Sequence, residues 1–199
     1  MMAAGFAPWT AMPVAIIAGF IAGCCTAFIH LRFRIHTLLA GILIMTMLYS
    51  INLRIMGRSN ISVFGMDTIF DFSVFANTGT MLTRILIVGF VVVLVLLALS
   101  SFFKTEEGTA VRAVGANPDM AEAQGISVWT ATIGGVGLAS AFSALSGAIM
   151  IQSQGFADVN MGLGILINGL AALMIGEAIT GKKTVFRQLL APFVGAIIY

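Results

Sequence analysis

Charge is what this sequence has least of. Only 9% of its 199 residues are Asp, Glu, Lys or Arg, against roughly a quarter in a soluble domain, and its mean hydropathy is +1.06. A water-soluble fold of this composition has too little polar surface to cover itself, which sets the membrane class before any motif is read. The net charge of +2 is also small, and the charges cluster between apolar stretches rather than along one face, so no nucleic-acid partner is expected. Cysteine is nearly absent. Cys24 and Cys25 are adjacent inside an apolar stretch, where neither a metal site nor a useful disulfide has a partner, and packing is their expected role. Met1 to Thr10 lacks the positive region of a removable signal peptide. No Ser/His/Asp, Cys/His or paired-carboxylate arrangement stands in the apolar stretches, so neither catalysis nor a bound cofactor is expected of this chain. Repeats, low-complexity runs and a soluble domain are likewise missing.

What remains is 59% hydrophobic, with 22 Gly, 15 Phe and 12 Met, a composition suited to helices packed closely in lipid. A helix needs about 20 apolar residues to cross the hydrocarbon core, and on that scale six segments stand out, roughly 9–29, 35–56, 82–103, 127–151, 161–180 and 184–199. The fold class is all-α and polytopic, since helices satisfy their own backbone groups within lipid. Lys and Arg alternate between connections. One set holds Arg32, Arg34, Lys104, Arg112, Lys182, Lys183 and Arg187; the other holds Arg54, Arg58 and Arg84. The richer set is cytoplasmic by the positive-inside rule, which puts residues 104–126 inside and the 57–81 and 152–160 connections outside, with Trp9 and Trp129 as interfacial anchors. The N-terminus then lies outside and the chain stops within an apolar segment, so residues 1–199 read as one transmembrane domain truncated at both ends.

Small residues recur at every fourth position in Ala15, Gly19 and Gly23, in Gly135, Ala139, Ser143 and Gly147, and in Gly164, Ala172 and Gly176, with Asn168 in the intervening slot. Such stripes let backbones approach one another in lipid. The polar residues within spans, Asn52, Asn168 and the Ser140, Ser143 and Ser146 set, suit a path for a polar solute and hydrogen bonding between helices equally well.

The polar connection Lys104–Ile126, KTEEGTAVRAVGANPDMAEAQGI, carries helix punctuation. Thr105 can N-cap a short helix whose first turn holds Glu106 and Glu107, where carboxylates suit the helix dipole, and Gly115 can end it. Asn117 can cap a second helix, with Pro118 at its first position, Asp119 in its first turn and Gly125 closing it after about two turns. Two capped helices make a rigid cytoplasmic surface. Its use is either docking of a partner or shielding of helix ends, and the punctuation itself does not choose.

At these residues the sequence resembles permeases of the branched-chain amino acid and ribose type of ABC importer, whose cytoplasmic segment reads Gly, then Arg-Ala-x-Gly-x-Asn-x-x-Ala, then Gly-Ile. Gly108, Arg112, Ala113, Gly115, Asn117, Ala121, Gly125 and Ile126 fit that pattern, while Ala116 stands where an acidic residue is frequent. LLAGILIMTMLYSINLRIMGRSNI, from Leu38 to Ile61, is similar to a subgroup assigned to uptake of tryptophan, tyrosine or related compounds. The resemblance implies that residues 104–126 contact an ATP-hydrolysing subunit, through Glu106, Glu107, Gly108, Arg112, Ala113, Gly115, Asn117, Pro118, Ala121 and Gly125. It also implies a second permease subunit, identical or not, and an extracytoplasmic solute-binding protein, in a bacterial inner membrane.

Other signals mean less. Gly176–Thr184, GEAITGKKT, nearly matches a phosphate-binding loop, but Lys183 occupies the Ser/Thr position and the run ends an apolar span instead of following a strand. Any ATPase is therefore a separate chain. Glu177 and Arg54 read as interfacial charges, and His30 and His36 flank Arg32 and Arg34 with no carboxylate or Cys in reach to complete a metal site. Taken together, the expected function is the transmembrane subunit of a binding-protein-dependent importer of a small organic solute such as an amino acid, with Asn52, Asn168 and Ser143 on its path. The alternatives are an ion- or proton-coupled secondary transporter or channel, whose paired intramembrane charges are not evident, and a purely structural membrane subunit.

Overall fold

The computed structural model describes residues 8–63, 80–181 and 185–198. Along the chain come α1 (Pro8–Phe33), α2 (Thr37–Met56), β1 (Asn60–Ser62), α3 (Thr80–Phe102), α4 (Glu106–Ala116), α5 (Pro118–Ala123), α6 (Val128–Gln154), β2 (Phe156–Asp158), α7 (Met161–Thr180) and α8 (Val185–Ile198). Four helices are long and apolar enough to cross a bilayer, over Thr10–Phe33, Thr37–Met56, Arg84–Phe102 and Val128–Gln154; Ile167–Thr180 and Arg187–Ile198 are shorter apolar stretches. The six expected segments are therefore all helical, but four of them have full spanning length among the described residues. The expected anchor Trp9 has its side chain outside the described residues, as have Lys182, Lys183 and Thr184.

Packing inverts the rule for soluble proteins. Among the described residues the best-buried positions are alanines, with Ala27, Ala40 and Ala191 at 0% exposure, and no large side chain is fully buried. Where lipid is the solvent, Leu or Phe gains nothing by turning inward, so small residues take the contacts and large ones face out. On α1, Gly19 and Gly23 do what their spacing predicts: a Cβ at Gly19 would lie 2.7 Å from the Ser140 carbonyl oxygen of α6, and one at Gly23 2.7 Å from that of Val136. On α6 the contact face is not the stripe expected. Gly137, Ser140, Ala141 and Ala144 meet α1, whereas Ala139, Ser143 and Gly147 are exposed and Gly135 faces α4. So many small residues stand on α6 that several stripes coexist, and spacing alone does not rank them. Cys24 packs near Gly137, whereas Cys25, for which packing is also expected, is exposed. At α7 only the later part of the expected stripe makes the contact: Gly176 lies against the Ala191 carbonyl of α8 and Gly195 against that of Ala172, whereas Gly164 has nothing within 4 Å and Asn168 is exposed.

The connections sort into two ends. β1 pairs antiparallel with β2, Ile61 opposite Ala157, which joins the α2–α3 and α6–α7 connections. Gly57 and Gly155, at φ of 67° and 75°, end α2 and α6 in left-handed conformations that let the chain turn into these strands. At the opposite end the α1–α2 turn meets the residues between α5 and α6. His36 accepts from Leu38 N at 3.4 Å to cap α2, and His30 Nδ1 lies 2.5 Å from the Ile35 carbonyl oxygen. Both histidines thus organise a turn, and no group of three metal-ligating side chains occurs among the described residues. The grouping of ends is the one that the Lys and Arg count predicts.

Candidate functional site

The end that the Lys and Arg count assigns to the inside carries a folded platform built from α4, α5 and the start of α6. It begins at a tight joint. The Thr105 hydroxyl donates to the Phe102 carbonyl at 2.6 Å and accepts from Gly108 N at 3.3 Å, so one side chain ends α3 and caps α4. Gly108 is buried against the backbone of Phe102 and Phe103, where a Cβ would lie 2.7 Å from Phe103 Cα. Only glycine lets α4 cross so close to the end of α3.

One face of α4 then turns to α6. Gly108, Val111 and Val114 follow at three-residue spacing, Val111 meets Gly135, and Val114 is buried with Ala121 of α5 and Ala131 of α6. Half-buried Val111, Ala113, Ile126 and Val128 surround this small core. Asn117 serves both helices: its N–H donates to the Ala113 carbonyl at 3.0 Å as α4 ends, and its Oδ1 accepts from Met120 N at 3.1 Å as α5 begins. Pro118 occupies the first position of α5, where a missing N–H costs nothing. Gly125, at φ 83°, stands after α5, and Ser127 then caps α6 through Thr130 N at 3.4 Å. The first helix ends at Ala116, one residue beyond the expected Gly115, because Asn117 is the cap.

The ten residues singled out in this segment fall into two groups. Gly108 and Ala121 are buried and Ala113 is half-buried, so these three build the platform. Glu106, Glu107, Arg112, Gly115, Asn117, Pro118 and Gly125 are exposed and form its outer surface. Sequence reasoning missed Met120, which is 61% exposed on α5 between acidic neighbours. The available signal was a large apolar residue in a short polar helix whose neighbour Ala121 already fills the core. The proposed path residues Asn52, Ser143 and Asn168 are exposed on α2, α6 and α7, which pack chiefly on α1, α1 and α8 respectively. Gly176, the first residue of the phosphate-loop look-alike, lies inside α7 at its contact with α8, a helical position that excludes a loop reading there.

The platform is continuous with the spanning helices α3 and α6. The model of the branched-chain amino acid transport system permease component matches residues 1–199. The chain belongs to that permease family. It is a multi-pass inner-membrane protein. The tyrosine transport system permease protein of Clostridioides difficile is 40% identical over 195 residues, covering 98% of this chain and 63% of that protein. An uncharacterised protein of Rickettsia prowazekii is 36% identical over 198 residues, covering 98% of this chain and 69% of its own length. The permease chain thus spans about two thirds of these relatives. No solved structure matches it.

Proposed function

We propose that this chain is the membrane-spanning subunit of a binding-protein-dependent ABC importer, that α4 and α5 receive a separate ATPase subunit, and that the solute is an amino acid or similar small organic compound. Kinship to a permease named for tyrosine transport favours an amino acid. The observation that carries the reading is the platform itself: two capped helices, fixed to the end of α3 by Gly108 and to α6 by the Val114–Ala121–Ala131 core, with Arg112 and Met120 turned outward. Closure of two ATPase subunits would press on this surface. Because α4 rests on α6 and α6 meets α1 backbone to backbone at Gly19 and Gly23, the push passes to the α1–α6 pair as a rigid unit and switches a path between two permease subunits from outward to inward facing. The chain itself catalyses no reaction, and hydrolysis belongs to the partner. A solute-binding protein would meet the opposite end, where β1 and β2 pair.

The test is co-purification of the full-length permease in detergent with its ATPase subunit, comparing wild type with Arg112→Glu and with residues 117–125 replaced by a flexible linker. Wild type should retain the ATPase, and both variants should lose it while still eluting as folded protein. Retention by both variants, or by none of the three, sinks the docking assignment and brings forward the secondary transporter.

A further inference from the structure

Where the α1–α2 turn meets the residues between α5 and α6, the chain leaves a depression of about 530 Å³ lined by His30, Leu31, Arg34, Glu122, Ser127 and Trp129 among others. This is within the roughly 300–1,000 Å³ of small-molecule sites. Its charges are of two kinds. Arg34 has a φ of 53°, a left-handed backbone that is unfavourable for any residue with a side chain. The N-terminus of α6 opens on the same space through Ser127, Val128 and Trp129. Thr130 N donates to the Ser127 hydroxyl and Ala131 N to the Ser127 carbonyl; the N–H groups of Val128 and Trp129, ahead of them, have no intrahelical acceptor. Guanidinium and helix N-terminus together favour an anion. Glu122, in the last turn of α5, supplies the opposite charge, and no ion pair joins it to Arg34 among the described residues.

Two opposite charges thus line one space without closing on each other. Beside them Trp129, 44% exposed, packs edge-on to Phe28, 51% exposed, with ring centroids 6.1 Å apart. Trp129 stands in the first turn of the spanning helix α6, and tryptophan is enriched where such spans meet a membrane surface.

We propose that this depression binds the headgroup of a zwitterionic phospholipid bearing a primary ammonium, of the phosphatidylethanolamine kind. Its phosphate lies on Arg34 and the α6 N-terminus, its ammonium on Glu122, and its acyl chains against Phe28 and Trp129. A free zwitterion such as phosphoethanolamine or an amino acid shares the charges but leaves the rings uncovered. Phosphatidylcholine has no ammonium N–H to give Glu122, and phosphatidylglycerol has no cation. Since Arg34 belongs to the turn after α1 and Glu122 to the platform, an occupied site ties the platform to the bilayer whatever docks on its outer face.

The full-length chain, extracted from mixed bilayers of phosphatidylethanolamine, phosphatidylcholine and phosphatidylglycerol, would be weighed by native mass spectrometry for retained lipid. Wild type should keep phosphatidylethanolamine about tenfold over phosphatidylcholine, the size of one charge-assisted hydrogen bond. Glu122→Gln should abolish that preference. Arg34→Gly, which suits the left-handed backbone, should lower retention of phosphatidylethanolamine and phosphatidylglycerol alike. Equal retention of all three lipids by wild type overturns the proposal, as does an unchanged preference in both variants. So does displacement of the lipid by millimolar phosphoethanolamine, which would make the ligand a soluble zwitterion. The wild-type competition decides the matter even where a variant does not fold, and it needs no ATPase, so its failure is separable from failure of the docking assignment.

Discussion

α1 and α4 both lean on α6, one along its middle turns at Val136 to Ala144 and the other on its first two turns at Ala131 and Gly135. α1 brings Gly19 and Gly23 to within backbone contact and keeps Ile17, Ile21 and Phe28 turned out. α4 brings Val111 and Val114 into a small core and keeps Glu106, Glu107 and Arg112 turned out. The difference is one of solvent. In lipid a large apolar side chain is as well placed outside as inside, so the contact is chosen for closeness of fit; in water the same side chain is driven inward and the helix ends need caps. Substitutions should therefore hurt the two regions through different mechanisms, by obstruction in the first and by lost burial or capping in the second.

The largest effects are expected where backbone meets backbone. At Gly176 and Gly195 a Cβ would overlap the carbonyls of Ala191 and Ala172, atoms that cannot rotate away. Gly176→Ala or Gly195→Ala should each cost about 3 kcal/mol and separate α7 from α8, read as loss of folded yield and a lower unfolding midpoint in detergent. Gly164→Ala and Gly169→Ala, with nothing within 4 Å, are controls expected to stay within about 0.5 kcal/mol of wild type. If all four behave alike, closeness of fit is not what holds these helices.

The next pair sharpens the comparison on α6 itself. A Cβ at Gly23 would lie 2.7 Å from the Val136 carbonyl oxygen, whereas one at Gly135 meets the tip of Val111 at 2.9 Å. Gly23→Ala should cost about 2 kcal/mol and Gly135→Ala about 1 kcal/mol. Adding Val111→Ala should recover part of the second loss and none of the first. Both are measurable as shifts in the same unfolding curve.

This contrast also explains what could be read beforehand. The platform was legible because its determinants are local: Thr105, Asn117, Pro118 and Gly125 act on residues within one turn, and each stands where its chemistry placed it. Span positions were legible for a similar reason, since the apolar runs within 82–103 and 127–151 can be little else than helices. Contact faces were not. Gly135 and Gly137 look equally suited to packing, and only the position of α1 decides that Gly137 meets it. The pairing of Asn60–Ser62 with Phe156–Asp158 was invisible because three-residue strands carry no periodicity and their partners lie far apart in sequence. Within the platform the motif residues could be named but not sorted, since burial of Gly108 and Ala121 depends on where α3 and α6 lie.

The smallest predicted effect tests whether the platform is an independent unit. Asn117→Ala removes the Oδ1 acceptor from Met120 N while leaving the N–H that ends α4 intact. Loss of such a cap costs about 1 kcal/mol, and Asn117→Asp, which retains the acceptor, should recover most of it. Hydrogen exchange should accelerate over residues 118–125 by roughly fivefold, the factor that 1 kcal/mol gives. Amides of α1 and α6 should be unchanged, because their contact rests on Gly19, Gly23 and Gly137 and not on the cap. Faster exchange spreading into α1 would mean that the aqueous and the lipid-facing contacts of α6 are one cooperative unit. The rigid transmission proposed from platform to span would then be tighter than separate mechanisms of stability allow.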